Sequence, residues 1–495
     1  MSLKNQVQLI TYVDRLSNGD LRQLHQLLDE EFDGLFGGVH LLPFFNPIDG
    51  EDAGFDPIDH TEVDKRVGSW DDVANIGKKY DVMADLIVNH ISAQSPVFQD
   101  VLEKGSDSEY FELIMTKEKV FGKNASQADI NKIYRPRPTP CFTPMVCQTG
   151  ETINVWTTFT DNQIDIDVTG KHGQIYLNSI LDTFEQNNIK FIRLDAAGYA
   201  IKKAGTNCFM LDETFDFINA LSAQANERDM SCLVEIHSYY KTQIEIAKRC
   251  EAVYDFALPP LVLHTLFNND AHALYNWLSI APRNCVTVLD THDGIGIVDV
   301  GPEGDKPGLL TPEQIDTLVE TIHSNSNGQS RLATGAAASN VDLYQVNCTY
   351  FDALNGNEQD YLLARAIQFF APGIPQVYYS GVLGLKNDMT LLANTQVGRD
   401  INRPYIDDTT LRMALESDFF ASMQVLITLR NSHPAFNGKF SISLLDSNLS
   451  MNWCLANEAI EFVLNVEKHT GLINMIEAGE ISQSIEIKDN SIKYI

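Results

Sequence analysis

A chain of 495 residues, 44% apolar and 21% charged, is long enough to bury a large core and has the composition of a globular protein. Its 67 acidic and 36 basic residues give a formal charge of −31, which argues against nucleic acid or an anionic membrane surface as partner, since both select basic patches. A small anionic substrate is not excluded, because repulsion is screened within about 10 Å and a few local arginines can hold a phosphate.

The first residues, MSLKNQVQLITY, lack a basic segment followed by an apolar core, and no window holds 18 apolar residues, so neither a secretory signal nor a membrane span is expected. The eight cysteines (141, 147, 208, 232, 250, 285, 348 and 454) are scattered without C-x-x-C spacing, which gives no metal site and no redox motif. These features together predict a cytoplasmic protein with reduced thiols and no cofactor.

Eight apolar or β-branched runs read as strands: QVQLITY (6–12), GVHLLPFF (38–45), VMADLIVNH (82–90), KFIRLDAAGY (190–199), SCLVEIHSYY (231–240), AVYDFALP (252–259), CVTVLDTHD (285–293) and IPQVYYSG (374–381). Helical patterns such as DLRQLHQLLDEEF, WDDVANIGKKY, GQIYLNSILDTFEQNN and ETFDFINALSAQANERD lie between them. The alternation predicts an α/β fold, a (β/α)8 TIM barrel with two inserted excursion domains and a small C-terminal all-β domain. The barrel is expected in three parts, 1–90, 170–294 and 357–435. The excursions are expected at 91–169, rich in Pro and Thr, and at 295–356, rich in Gly, Ala and Ser. From 436 to 495 short alternating runs (FSISLL, EFVLNVE, SIEIKD, SIKYI) predict the β domain.

Polar clusters end four of the eight strands: Asp85 to Asn89-His90, Arg193-Leu-Asp195, Glu235-Ile-His237 and Asp290-Thr-His292-Asp293. Read alone, Arg193 and Asp195 are equally well a charge pair that closes a strand. A barrel brings all four ends around one cleft at its C-terminal face. Three carboxylates there meet the needs of retaining glycosyl transfer, with one to attack the anomeric carbon, one to protonate the leaving oxygen and one to stabilise the charged transition state.

DLIVNH, FIRLDAAGY, LVEI and DTHDG resemble the four ordered signature regions of the α-amylase glycoside hydrolase family. With QVQLITY, DAGFDPIDHTEVD, YRPRP, AAASNVDLYQVN and GRDINR, nearly the whole chain resembles the sucrose phosphorylase branch of that family. The resemblance implies Asp195 as nucleophile, Glu235 as general acid and base, and Asp293 as transition-state stabiliser. A neighbouring Arg193 is expected to keep Asp195 ionised, and partial desolvation after Leu233-Val234 to raise Glu235 toward a useful acid. For the glucose pocket the resemblance implies Asp52, Phe55, His90, Phe159, Gln163, Arg193, His292 and Arg399, with Asp52 and Arg399 paired.

On the acceptor side it implies Tyr134 and Arg137 from the first excursion, and Asp342, Tyr344 and Gln345 from the second. Asp342 and Gln345 suit the hydroxyls of fructose, whereas Arg137 and Tyr344 suit inorganic phosphate. Serving both acceptors at one site requires the loop around AAASNVDLYQ to move between half-reactions. Gly198-Tyr199 stands where many α-amylases have Lys-His, and no acidic loop suits calcium, so a small disaccharide pocket without metal is expected. The activity implied is reversible phosphorolysis of sucrose by a monomer or homodimer. The alternatives are a sister phosphorylase for sucrose 6′-phosphate, glucosylglycerol or glucosylglycerate, a sucrose hydrolase or transglucosylase, and an inactive amylase-like binding subunit.

Overall fold

The computed structural model describes residues 3–16, 19–50, 52–122, 125–137, 139–334 and 345–495. All eight expected strands form: β1 (Gln8–Thr11), β2 (Gly38–Leu41), β3 (Asp81–Ile87), β4 (Ile189–Asp195), β5 (Ser231–Val234), β6 (Ala252–Asp255), β7 (Cys285–Thr287) and β8 (Ile374–Tyr378). Each pairs in parallel with its successor, and β8 pairs with β1 to close the barrel. Helices Leu21–Asp29, Trp70–Ile76, Lys171–Gln186 and Asp212–Asn226 occupy the four helical patterns. The first is capped by Asp20, whose carboxylate accepts from the amides of Arg22 and Gln23.

Alternation along β4 sorts its side chains. Ile192 and Leu194 are fully buried on the helix-facing side, while Phe191, Arg193 and Asp195 face into the barrel. The register sets Arg193 beside Asp85 of β3. Asp85 in turn accepts from His40 of β2 at 2.9 Å, so one interior layer is a chain of charged and polar groups across three strands. A second layer is also polar, with Gln376 Nε2 donating to Gln8 Oε1 at 2.8 Å and the Tyr254 hydroxyl donating to Gln376 Oε1 at 3.3 Å. Such groups are tolerable inside a barrel because they hydrogen-bond to one another across the strands.

The segment after β3 leaves the barrel at His90–Ser92, which pairs antiparallel with Gln163–Asp165, and carries a hairpin of Phe142–Val146 with Thr152–Trp156. Lys202 fastens this excursion to the barrel. Its ammonium lies 2.7 Å from Asp165 Oδ2 and 2.7 Å from Asn89 Oδ1, and also reaches the Tyr199 carbonyl. The Lys202 and Asp165 side chains are 1% and 0% exposed. Replacing Lys202 by Met leaves the Asp165 carboxylate buried without its counter-ion and is expected to destabilise the fold by about 3–5 kcal/mol. Chemical denaturation checks this; a midpoint equal to the parent's contradicts it.

After β7 the chain departs again. Ile295–Gly296 pairs with Gln345–Val346, and the helix Pro312–Asn325 lies between. From Lys439–Leu445 to Ser491–Tyr494 six strands form an antiparallel meander in sequence order. Its apolar face, including Leu449, Phe462 and Ile473, packs on the helix Glu358–Phe370, where Trp453 Nε1 donates to the Phe370 carbonyl at 2.7 Å. Among the described residues no helix is long and apolar enough to cross a membrane.

Candidate active site

A cavity of about 460 Å³ opens at the C-terminal ends of the barrel strands. Asp195 enters it as the last residue of β4, Glu235 as the residue after β5, and Asp293 from the loop that follows β7. The expected glucose-side residues Asp52, Phe55, His90, Phe159, Gln163, Arg193, His292 and Arg399 line the same cavity. So do Tyr134, Arg137 and Gln345 of the expected acceptor side. Asp342 and Tyr344 lie outside the described residues.

Arg193 is the electrostatic hub. Its Nη1 donates to Asp85 Oδ1 at 2.6 Å and to Asp195 Oδ1 at 2.9 Å, and its Nη2 stands 3.5 Å from Glu235 Oε1. One buried cation is thus divided among three carboxyl groups. This changes the expectation that Arg193 keeps Asp195 ionised. Burial raises the Asp195 carboxyl well above its ordinary range, Glu235, Asp85 and Asp293 add to the rise, and Arg193 opposes them without prevailing.

Asp293 is held in the opposite state. Burial works against its charge, but Arg399 at 2.8 Å, His292 at 3.5 Å, Arg193 and Arg403 keep the carboxyl far below its usual range. The turn Gly398–Asn402 supplies much of this support. Asn402 Nδ2 donates to the Asp293 carbonyl at 2.8 Å, and Arg403 Nε donates to the His292 carbonyl at 2.8 Å. Asp52 is also kept low, with burial opposed by Arg399, Arg137 and Arg403. Carboxyl groups pushed in opposite directions, Asp195 up and Asp293 and Asp52 down, therefore occur in the same cavity.

The remaining walls fit a pyranose ring. Phe55 stacks on His292 with ring centres 4.9 Å apart, and the Arg193 guanidinium lies 5.4 Å from the centre of the Phe55 ring. His90 is buried, contacts the Phe55 carbonyl at 3.1 Å and Gln163 Nε2 at 3.1 Å, and meets Phe159 edge to face. Burial lowers the pKa of both histidines, to about 3 for His292, so both are neutral hydrogen-bonding groups.

Several lining residues escape the sequence reading. Tyr134 stacks on Phe209 at 4.5 Å, and Phe209 meets Tyr199 at a tilt with ring centres 4.6 Å apart, forming an aromatic wall of the cavity. Phe209 carries no motif signal, although Tyr199 stood out beside Gly198. His237 also lines the cavity and pairs with buried Asp299 at 2.9 Å. The spacing Glu235-Ile-His237 hints at a shared face, but nothing local connects His237 to Asp299. Among the described residues no three or more His, Cys, Asp or Glu side chains are grouped to hold a metal ion.

No family model matches the chain. It is 60% identical over 465 residues to a sucrose phosphorylase of Agrobacterium vitis, covering 94% of this chain and 95% of the relative. The crystal structure of a sucrose 6F-phosphate phosphorylase from Thermoanaerobacter thermosaccharolyticum superposes with a TM-score of 0.89 at 36% identity, covering 100% of this chain and 99% of that one. An α-amylase from H. orenii matches with a TM-score of 0.68 at 14% identity, covering 100% and 97%, which shows a shared fold. With the strand-end carboxylates in place and similarity of that extent over almost all of both chains, the chain belongs to the sucrose phosphorylase family, on the α-amylase barrel.

Proposed function

We propose that this chain catalyses the reversible, retaining phosphorolysis of sucrose to α-glucose 1-phosphate and fructose. Asp195 attacks the glucose C1 of sucrose from the β face, opposite the glycosidic oxygen, while Glu235 donates its proton to that oxygen, so the C1–O bond breaks and fructose leaves. A phosphate oxygen then attacks C1 of the β-glucosyl ester from the side fructose vacated. The bond to Asp195 breaks, and Glu235 takes up a proton from the incoming phosphate. Two inversions give net retention.

One observation carries this reading: Asp195 and Glu235 touch opposite nitrogens of the same Arg193 in a single cavity. Sharing one guanidinium supports the short separation of a retaining pair, about 5 Å, over the longer one that leaves room for a water. Of the two, Asp195 has the closer contact with the cation, at 2.9 Å against 3.5 Å, and this contact favours its carboxylate form for attack. Asp293, anionic through Arg399, faces the positive charge that develops at C1. Asp52 and Arg399 engage ring hydroxyls, and Phe55 offers an apolar face. Phosphate is received by Arg137 with Tyr344, and fructose by Asp342 with Gln345 and Tyr134.

The 60% identity to the Agrobacterium vitis sucrose phosphorylase supports sucrose as donor, against 36% for the sucrose 6F-phosphate enzyme. All eight cysteines are free thiols, which supports a reducing, cytoplasmic setting. The described site is assembled within one chain and so suits either a monomer or a homodimer. Incubation with sucrose, with and without phosphate, tests the assignment. Phosphate-dependent α-glucose 1-phosphate is expected; free glucose as the main product whether or not phosphate is present contradicts it.

A further inference from the structure

His237 lines the cavity and is paired with a carboxylate that lies outside it. Its Nδ1 lies 2.9 Å from Asp299 Oδ2. Asp299 is fully buried, and its other oxygen accepts from the Ser238 amide at 3.1 Å and from Gln243 Nε2 at 2.7 Å, so the carboxylate is fixed in place. On one face the His237 ring stacks on Phe256 with centres 3.8 Å apart. On the side of Asp299 there is room for nothing more. A Cβ at Gly296 would stand 2.8 Å from Asp299 Oδ2 and 3.2 Å from His237 Cε1, so this glycine permits the contact.

The other ring nitrogen faces the reacting groups. His237 Nε2 is 3.9 Å from Glu235 Oε1 and 3.3 Å from Gln345 Nε2. A neutral ring, with Nδ1–H given to Asp299, would accept at Nε2 from the Gln345 amide. A charged ring instead presents a second N–H there, and two donors then converge on the acceptor side of Glu235. An oxyanion satisfies both; a water satisfies them less well, lacking charge. The charged groups facing the ring are Asp299, Glu235 and Asp293. Burial works against the cation, but these three push His237 up to about 9.

We propose that Asp299, with the space left by Gly296, makes His237 a cationic contact for the phosphate acceptor, so that Asp299 is a positioning residue that favours phosphate over water. In a chain of formal charge −31, a cation at this point offsets the carboxylates that would otherwise repel the acceptor. The proposal rests on the phosphorolysis reading above and adds to it the means by which the anion is selected.

Two measurements test it. In the parent protein, ¹⁵N-histidine NMR, with His237 assigned by its absence in His237→Gln, is expected to show an imidazolium that persists through pH 8. In Asp299→Asn the ring should titrate at lower pH. The KM for phosphate should rise about 10- to 100-fold, the loss of one charge-assisted hydrogen bond, with a smaller change in the KM for sucrose and a product ratio shifted toward glucose. The phosphate KM of the parent should rise as pH passes about 9, and that of Asp299→Asn at lower pH. If Asp299→Asn does not fold, the parent titration alone decides. A parent His237 that titrates at its ordinary value, or phosphate and sucrose KM values that rise in parallel in Asp299→Asn, overturns the proposal. A parent protein that makes no glucose 1-phosphate overturns the phosphorolysis reading itself, whatever the state of His237.

Discussion

Asp195→Ala is expected to remove sucrose turnover altogether, by at least about 10⁴-fold, because the first bond to C1 then has no nucleophile and no other group in the cavity replaces it. Glu235 is placed to give and take a proton, and Asp293 is tied by Arg399 at 2.8 Å. The loss should appear in kcat for both phosphorolysis and hydrolysis, since each passes through the same ester. Stability should move the other way. The Asp195 carboxyl is raised in the fold, so the stability linked to it is full below the unfolded value and is lost as pH rises through the folded one. At neutral pH the group therefore destabilises the protein, and Asp195→Asn should melt at a higher temperature than the parent. An inactive variant that also melts lower would show a damaged fold instead. A variant that retains full turnover would exclude Asp195 as nucleophile.

Glu235→Gln is expected to cut the rate with sucrose by about 10²- to 10⁴-fold, the usual contribution of a positioned general acid. The size of the loss should depend on the leaving group. Fructose departs as an alkoxide unless it is protonated, whereas fluoride from α-glucosyl fluoride departs without a proton. The variant should therefore form the glucosyl ester from the fluoride at a rate much nearer the parent's. Equal losses with sucrose and with the fluoride would mean that Glu235 acts through the shape or charge of the cavity. Glutamine keeps the hydrogen-bonding capacity toward Arg193 Nη2 at 3.5 Å, so the comparison isolates the proton.

The barrel is legible in the sequence because its eight strands are short apolar runs that alternate with helical patterns, and every one of them forms. The strand ends are legible for a related reason. A charge such as Asp195, following Phe191, Ile192 and Leu194, is costly within a buried strand unless it is paired there, and is placed most readily at the strand's mouth. Relations between strands are another matter. The sequence places Arg193 two residues from Asp195, which suggests an exclusive pair, but the register brings Asp85 of β3 closer still, at 2.6 Å against 2.9 Å, and Glu235, just past the end of the next strand, to 3.5 Å. The cation is divided, and the proton balance of the site changes with it.

Arg403 and Asn402 were hidden for similar reasons. They hold Asp293 through its backbone neighbours, by contacts that span more than 100 residues and leave no local pattern. The His237–Asp299 pair joins the end of one strand to the second excursion, and the glycine that permits it reads in the sequence as an ordinary loop residue. Geometry of this kind arises from packing, so single-residue signals do not announce it.

The central claim is a covalent glucosyl ester on Asp195. The most direct measurement is mass spectrometry of Glu235→Gln after brief reaction with α-glucosyl fluoride and an acid quench, with the adduct located by peptide mapping. The predicted result is one added glucosyl unit, carried by the peptide that contains Asp195 and removed when phosphate is supplied before the quench. Turnover of the fluoride with no adduct, or with the sugar on another residue, would contradict it.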